Sequence, residues 1–243
     1  MFLSTSNICT ASNVSATGGN DTDFNIADML STDFTEQYVS LSSSTDFVIT
    51  VTGTVRYIAF AGSDYFGKCQ YVAINSDTTN EKRYLANSSA TIVHVFPVDV
   101  VNPTITFHRG GFTAPITVSY LAAGQCWEVV NNGEQSGYVR PWGAPALKQR
   151  TSVNNGLPTV TVQEGRKISA TLNIPNLPTV DAELTWYNFL RFAIEFGFFT
   201  VEDPSKGQYG YYCYNAKPAD IKAHGQTREL QSASIKYDCV TGR

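Results

Sequence analysis

The chain has 243 residues, enough for one large β domain or two ordinary ones. Its formal net charge of −4 argues against nucleic acid as the main partner, because nucleic-acid-binding domains are usually basic. Charged residues make up 16% of the chain, well below the ~25% of an average soluble protein. Ser, Thr, Asn, Gly and Tyr replace them, a mixture more typical of a rigid β protein than of a freely diffusing enzyme.

The first 24 residues are rich in Ser, Thr, Asn and Gly and show no hydrophobic period. This composition predicts a flexible N-terminal arm over residues 1–24. The segment lacks the basic and apolar regions of a secretion signal, so we expect synthesis in a cytoplasm. Nowhere does the sequence reach the ~18–20 apolar residues of a membrane helix, so we expect no membrane insertion.

A β-sandwich or jelly-roll-like domain is predicted over residues 25–130. Short runs of alternating apolar and β-branched or aromatic residues recur there, separated by turn residues. These runs are residues 47–60, 69–74, 91–98, 104–109 and 115–121. Residues 131–158 follow, and their many Gly and Pro residues predict a loop-rich linker.

A second β domain is predicted over residues 159–243, with one helix over residues 181–196. Acidic residues lie in the first turn of that helix, and Gly197 follows its end, as expected for a helix. The predicted strands are a hairpin of residues 159–164 with 166–174, then residues 198–202, 209–215 and 232–240. The predicted fold class is therefore mainly β, with two β-sandwich-like domains, the second containing one buried aromatic-rich α-helix.

Apolar side chains cover nearly the whole circumference of helix 181–196. A helix that is apolar all round is buried on several sides, whereas one sheet covers a single side. A second sheet, the long loop or another subunit must cover the rest. Strand 209–215 also carries Tyr on both faces, and Tyr is favoured at interfaces. We therefore predict a subunit interface that includes six aromatic residues: Trp186, Phe189, Phe192, Phe196, Tyr209 and Tyr211.

The sequence contains none of the common catalytic or cofactor-binding motifs: no HExxH, no GxSxG, no phosphate-binding Gly-rich loop and no GxGxxG after a strand. We therefore expect no enzymatic activity, no cofactor and no catalytic or metal-binding residues. His94 and His108 lie on predicted strands and His224 in a predicted loop. We interpret them as hydrogen-bonded or exposed side chains rather than as metal ligands.

Paired carboxylates require no sequence motif, so a glycan-degrading enzyme is the hardest class to exclude. Glu195, Glu202 and Asp203 lie near aromatic residues, but we interpret them as a helix-surface residue followed by a strand-end turn rather than as catalytic carboxylates. The five cysteines are widely spaced and include no CxxC pair, which favours buried thiols over a zinc site. A bridge between Cys213 and Cys239 on neighbouring strands is the alternative.

Five segments follow one another in the C-terminal part of the chain: SGYVRPWGAP, NNGLPTVTV, WYNFLRFAIEFGFFTVEDP, YGYYCYN and AHGQTRELQSASIKYDC. In this order of parts, residues 137–243 resemble structural proteins of the tail and baseplate of tailed phages. The resemblance implies a non-enzymatic subunit of the tail tip, baseplate or neck. Such a subunit is made in the bacterial host cytoplasm, becomes part of the virion, and assembles in a ring with copies of itself and with other tail proteins.

Two further functions stay open at this point. Residues 25–130 suit a carbohydrate-binding or adhesin module that contacts a host-surface glycan through a shallow aromatic groove. A glycan-degrading enzyme would instead place two carboxylates in one cleft. A tail subunit and a glycan-binding module are compatible, since a protein at the tail tip can also touch the host surface.

Overall fold

The computed structural model describes residues 1–17, 25–76, 82–85, 91–129, 149–154, 157–163, 167–178, 182–218, 222–224 and 230–240. Antiparallel β-sheets dominate these residues, and the α-helix α1 (Tyr187–Phe196) accompanies them. The prediction of a mainly β fold with an aromatic-rich helix is confirmed.

The strands up to residue 128 are short, and most of them alternate between buried and exposed side chains. They are β1 (Phe2–Ser4), β2 (Val14–Thr17), β3 (Tyr38–Val39), β4 (Phe47–Val51), β5 (Thr54–Ala61), β6 (Tyr71–Asn75), β7 (Lys82–Leu85), β8 (Ile92–Val101), β9 (Thr104–His108), β10 (Thr117–Val118), β11 (Tyr120–Gly124) and β12 (Cys126–Glu128). A short 3-10 helix, Ile26–Met29, lies between β2 and β3.

The later strands include the longest ones of the chain. They are β13 (Gln149–Asn154), β14 (Leu157–Gln163), β15 (Lys167–Pro178), β16 (Phe198–Val201), β17 (Tyr211–Pro218), β18 (Lys222–His224) and β19 (Leu230–Val240). A π-helical turn, Ala182–Trp186, leads directly into α1, and a 3-10 segment, Pro204–Tyr209, precedes β17.

Two sheets form a β-sandwich in the first half of the chain. A five-stranded sheet, in the order β2-β4-β9-β6-β7, packs against a three-stranded sheet, β11-β5-β8. Phe107 lies opposite both Phe47 and Val72 in the register, so the inward-facing residues of three strands meet at one level. The rings of Phe47 and Phe60 lie 5.3 and 5.4 Å from that of Phe107, which makes this aromatic group the centre of the core.

A third sheet of seven strands covers the outer face of the three-stranded sheet. Its order is β12-β1-β16-β17-β19-β15, with β18 also paired to β19. Alternate residues of β5 therefore enter two cores: Ile58 and Phe60 face the sandwich, whereas Tyr57 and Ala59 face the seven-stranded sheet. Burial on both faces explains why this strand reads as a nearly continuous apolar run.

Helix α1 forms a fourth layer on the far side of the seven-stranded sheet. Trp186, Phe189 and Ala193 are buried against it and share a core with Phe198 and Cys213. One side of the helix is therefore covered by the chain's own fold, as its apolar residues require. Within the described part of the chain, no helix combines the length and the hydropathy needed to cross a bilayer.

The flexible arm predicted over residues 1–24 needs correction. Strand β1 pairs on both sides, with β12 and with β16, and Leu3 is fully buried. Strand β2 pairs with β4. Composition missed this because a few apolar residues suffice when both edges of a strand find partners. Residues 18–24 lie outside the described residues.

The hairpin predicted between residues 159–164 and 166–174 is also wrong. Strand β14 pairs with β13, and β15 pairs with β19. An alternating pattern of apolar residues indicates a strand but not the strand with which it pairs, because pairing depends on which side chains the whole sheet buries.

In the predicted linker 131–158, residues 149–154 form β13, and residues 130–148 lie outside the described part. The boundaries of the two domains stay a prediction, and the seven-stranded sheet takes β1 and β12 from the first half.

Candidate ligand-binding pocket beside the helix

A cavity of about 440 Å³ opens at the edge of the junction between the seven-stranded sheet and the segment before β3. Its volume falls in the range of small-molecule sites, roughly 300–1,000 Å³. Aromatic side chains and a few polar groups line it together. The lining residues are Thr32, Phe34, Ile194, Glu195, Phe196, Gly197, Tyr212, Tyr214 and Asn215.

The end of α1 forms one wall of the cavity, and Gly197 makes this wall possible. Its φ of +71° lies in the left-handed region, which favours glycine. A Cβ at this position would lie 2.5 Å from the carbonyl oxygen of Cys213, so helix and strand approach too closely for any side chain. The Gly197 N–H donates to the Ala193 carbonyl and ends the helix.

Strand β17 forms the opposite wall. The rings of Tyr212 and Tyr214 point to the same face of the strand, 6.4 Å apart and nearly parallel. The hydroxyl of Tyr212 donates to the carbonyl oxygen of Phe196 at 2.7 Å, which ties this wall to the helix end. Burial raises the pKa of Tyr212 well above its ordinary value, so this hydroxyl stays protonated and keeps donating.

The third wall comes from a segment more than 150 residues earlier in the chain. Phe34 packs 5.3 Å from the ring of Tyr212 and also contacts Tyr120. Asp33 holds this segment in a turn, because its carboxylate accepts from both the N–H and the hydroxyl of Thr35. These hydrogen bonds lower the pKa of Asp33, so the turn is stabilised by the ionised carboxylate.

Asn215 contributes an amide at the mouth of the cavity. Its backbone has φ of +52°, a left-handed conformation that Asn tolerates better than most residues. Its side-chain N–H donates to Asp238 at 3.0 Å, and Asp238 in turn accepts from the hydroxyl of Ser169 at 2.6 Å. This chain of contacts fixes the amide. Its oxygen, which accepts no hydrogen bond from the described residues, remains an acceptor for a ligand.

Glu195 is the charged member of the lining. Its carboxylate is exposed and forms no hydrogen bond or ion pair with any residue that the structure describes. Arg191, four residues earlier on α1, is exposed too and forms no ion pair with it. The carboxylate is therefore available to a molecule that enters the cavity.

The six aromatic residues predicted for a subunit interface occupy different environments. Trp186 and Phe189 are fully buried in the chain's own core, which corrects their assignment, because neither has surface left for a partner. Phe192 and Tyr211 are half-buried beside that core. Phe196 lines the cavity and Tyr209 is exposed on the 3-10 segment. A contact of these last four residues with another subunit stays a prediction.

Of the histidines and carboxylates singled out by the sequence, His94, His108, Glu202 and Asp203 do not line the cavity. His94 bonds to the Tyr84 hydroxyl at 2.7 Å, and His108 pairs with Asp46 at 2.8 Å. The carboxylate of Asp203 accepts from Ser205 at the start of the 3-10 segment. No three His, Cys, Asp or Glu side chains among the described residues come together as a metal site.

Cys213 and Cys239 lie directly opposite each other on β17 and β19. Their Sγ atoms are 3.5 Å apart and both are fully buried, as free thiols. Burial raises the pKa of Cys213 well above its ordinary value, which keeps the thiol protonated and unreactive. The interpretation of buried thiols therefore fits the geometry better than a bridge between these two residues.

Sequence reasoning found only part of the cavity. It placed Tyr212 and Tyr214 on one face of a strand and Gly197 at the end of the helix, and both placements are observed. It missed Thr32 and Phe34, because no local pattern indicates which distant segment packs over a strand. Glu195 was noted as a carboxylate near aromatic residues, which was the available signal.

Comparison with known proteins identifies no family: no family model and no curated protein matches the chain. Parts of several solved structures resemble part of it. A fucosidase of Ruminococcus gnavus in complex with fucose is 9% identical, with a TM-score of 0.40, and covers 51% of this chain and 27% of its own. A chitosan-binding module of a Paenibacillus chitosanase/glucanase is 12% identical, with a TM-score of 0.37, and covers 45% of this chain and 91% of its own.

The third structure holds the CBM32-1 and CBM32-2 domains of Clostridium perfringens ZmpB in complex with GalNAc. It is 15% identical, with a TM-score of 0.36, and covers 48% of this chain and 34% of its own. The chain thus spans about a quarter of the fucosidase and a third of the two-domain structure. Likenesses this weak establish neither a family nor a ligand for this protein.

Proposed function

We propose that this protein binds glycans and that it holds a sugar in the cavity beside α1. The observation that carries the proposal is the combination of aromatic rings and polar acceptors in the lining of one cavity. A sugar ring has an apolar face of C–H groups and a rim of hydroxyls, so it requires both. Phe196 and Tyr214 supply the aromatic surface, and Glu195 and Asn215 supply the acceptors.

The same lining supports binding rather than hydrolysis. Glycoside hydrolases of the common kind use two carboxyl groups, roughly 5–9 Å apart, on either side of the bond that is cleaved. The cavity lining includes one carboxylate, that of Glu195. Glu202 and Asp203, the other candidates from the sequence, do not belong to the lining. A non-enzymatic role is therefore part of the proposal.

Screening the full chain on a glycan array and then measuring the best ligand by calorimetry tests this function. Phe196→Ala removes an aromatic wall, and we expect it to weaken binding by about tenfold or more, or ~1.4 kcal/mol. Phe112→Ala is the matched control, because Phe112 is equally exposed (43% against 42%) but lies between β9 and β10, outside the lining. A chain that binds no glycan, or equal affinities of the two variants, would contradict the proposal.

A second proposed function, a structural subunit of a tailed-phage virion, is favoured by the outer face of α1 and of the π-helical turn before it. Leu184 in the turn is 63% exposed, and Tyr187 and Ile194 on α1 are 58% and 56% exposed and lie two turns apart on one side of the helix. Groups of exposed apolar side chains are typical of interaction sites. The resemblance of residues 137–243 to phage tail proteins supports the same role, and a tail subunit can also bind a host glycan.

Size-exclusion chromatography with light scattering tests the assembly role. We expect the full chain to form a ring or larger complex, and the double variant Leu184→Gln, Ile194→Gln to shift it towards the monomer. The double variant Leu85→Gln, Phe112→Gln is the control, since both side chains are exposed elsewhere on the surface. A wild-type chain that stays monomeric at high concentration would argue against this role and leave glycan binding unaffected.

A further inference from the structure

We infer that the cavity beside α1 selects an amino sugar whose amine is free and protonated, rather than a neutral or acidic sugar. This inference rests on the proposed glycan-binding function and adds the class of ligand. It follows from three properties of the lining: its charge, the hydrogen-bonding capacity of its polar atoms, and the position of its aromatic rings.

The charge of the lining has one sign. Glu195 is its only ionisable carboxylate, and none of the nine lining residues is Lys, Arg or His. An acidic sugar would bring a second negative charge beside Glu195 and gain no compensating cation. A protonated amine gains an ion pair with a carboxylate that has no partner among the residues described.

The lining offers acceptors to an ammonium group. The Glu195 carboxylate accepts only, and the side-chain oxygen of Asn215 accepts no hydrogen bond from the described residues, while one N–H of the same amide donates to Asp238. The hydroxyl of Tyr212 already donates to the Phe196 carbonyl. An ammonium group has three donors and no acceptor, which complements this set. An N-acetyl group is uncharged and offers a single N–H, so it forms no ion pair with Glu195.

The aromatic rings reinforce the preference for a cation. Phe34, Phe196, Tyr212 and Tyr214 all reach the cavity, and the face of an aromatic ring attracts a nearby cation. The same rings provide the apolar surface against which a sugar ring packs. An amine carried on a sugar therefore uses both properties of the lining, whereas a small alkylammonium ion uses only one.

Calorimetric titration of the full chain with glucosamine, N-acetylglucosamine and galacturonic acid oligomers of equal length tests the inference, at a pH where the amine is protonated. We expect the glucosamine oligomer to bind about fivefold or more tightly than the acetylated one, the size of a partly exposed ion pair of about 1 kcal/mol. Glu195→Gln should bring the two affinities together. Glu128→Gln, the same change at an exposed site outside the lining, should keep the difference.

Two failures are distinguishable. If Phe196→Ala abolishes binding but the acetylated and free oligomers bind equally to the wild-type chain, the ligand class is wrong and the glycan-binding function stands. A preference that survives Glu195→Gln likewise overturns the inference alone. If no oligomer binds, the inference fails, and the glycan array alone decides the proposed function. If tetramethylammonium binds as tightly as the glucosamine oligomer, both the inference and the proposed function fail.

Discussion

The two spaces between the three stacked sheets are filled in different ways. Between the five-stranded and three-stranded sheets, aromatic rings are fully buried against one another, and a hydrogen bond between Tyr84 and His94 joins β7 to β8 at one edge. Between the three-stranded and seven-stranded sheets, Tyr120 and Phe199 stack 5.7 Å apart in the middle. At the edge of that second space, Phe34 and Tyr212 border an open cavity. Similar aromatic residues thus make a closed core in one place and a pocket in the other.

The difference shows what decides whether an aromatic cluster is structural. In the sandwich, the fully buried ring of Phe60 packs against that of Phe107 from the opposite sheet. At the junction, the glycine at the helix end lets the helix approach β17 closely, and Phe34 packs against Tyr212 from the segment before β3. The pocket lies where these three parts of the chain meet at the edge of the stacked sheets.

The largest expected effect is a loss of stability on removing a buried ring from the sandwich core. Phe107→Ala removes a fully buried ring from the centre of the sandwich, and we expect a loss of about 3–5 kcal/mol in the free energy of unfolding. Urea unfolding measures it. Phe112→Ala, at an exposed loop position, should change stability by less than about 0.5 kcal/mol. A loss for Phe107→Ala as small as this would show that the sandwich core is not closed.

Lowering the pH should destabilise the protein at His94, which lies at the edge of the same sandwich core. Burial, helped by the nearby positive charge of Lys82, lowers the pKa of His94 from 6.5 to about 4. The folded state therefore favours the neutral ring, so stability is full above pH 6.5 and is lost as the pH falls towards 4. A shift of this size corresponds to at most about 3 kcal/mol. Unfolding measured across this range should show a flatter pH dependence in His94→Gln than in the wild type.

A smaller loss of stability is expected from a substitution in the cavity wall. Gly197→Ala places a Cβ against the Cys213 carbonyl, and we expect a loss of about 1–3 kcal/mol together with weaker glycan binding. Gly111→Ala is the matched control, because φ is also positive there but no atom lies within 4 Å of the added Cβ. It should show only the backbone cost. Equal losses in the two variants would mean that the close approach at Gly197 is not needed.

Which features of the structure can be predicted from the sequence depends on how far apart in the chain the interacting residues lie. Alternation located β4, β5, β6, β8 and β9 and the helix, because side-chain periodicity is a local property. The pairing of β1 with β16 and the contact of Phe34 with Tyr212 join residues far apart in the chain, and no local pattern contains them. The sequence therefore indicated half of the pocket, its helix end and its tyrosine strand, and missed the wall that closes it.

The most direct measurement is an NMR titration of the isotope-labelled chain with the best glycan from the array. Glycan binding in the cavity predicts that the largest shifts fall on the amides of Gly197 and Asn215, while Gly67 and Gly111, in the loops that follow β5 and β9 and outside the cavity lining, stay unchanged. Shifts concentrated at Gly67 and Gly111 instead would place the ligand on the end of the sandwich and contradict the proposed site.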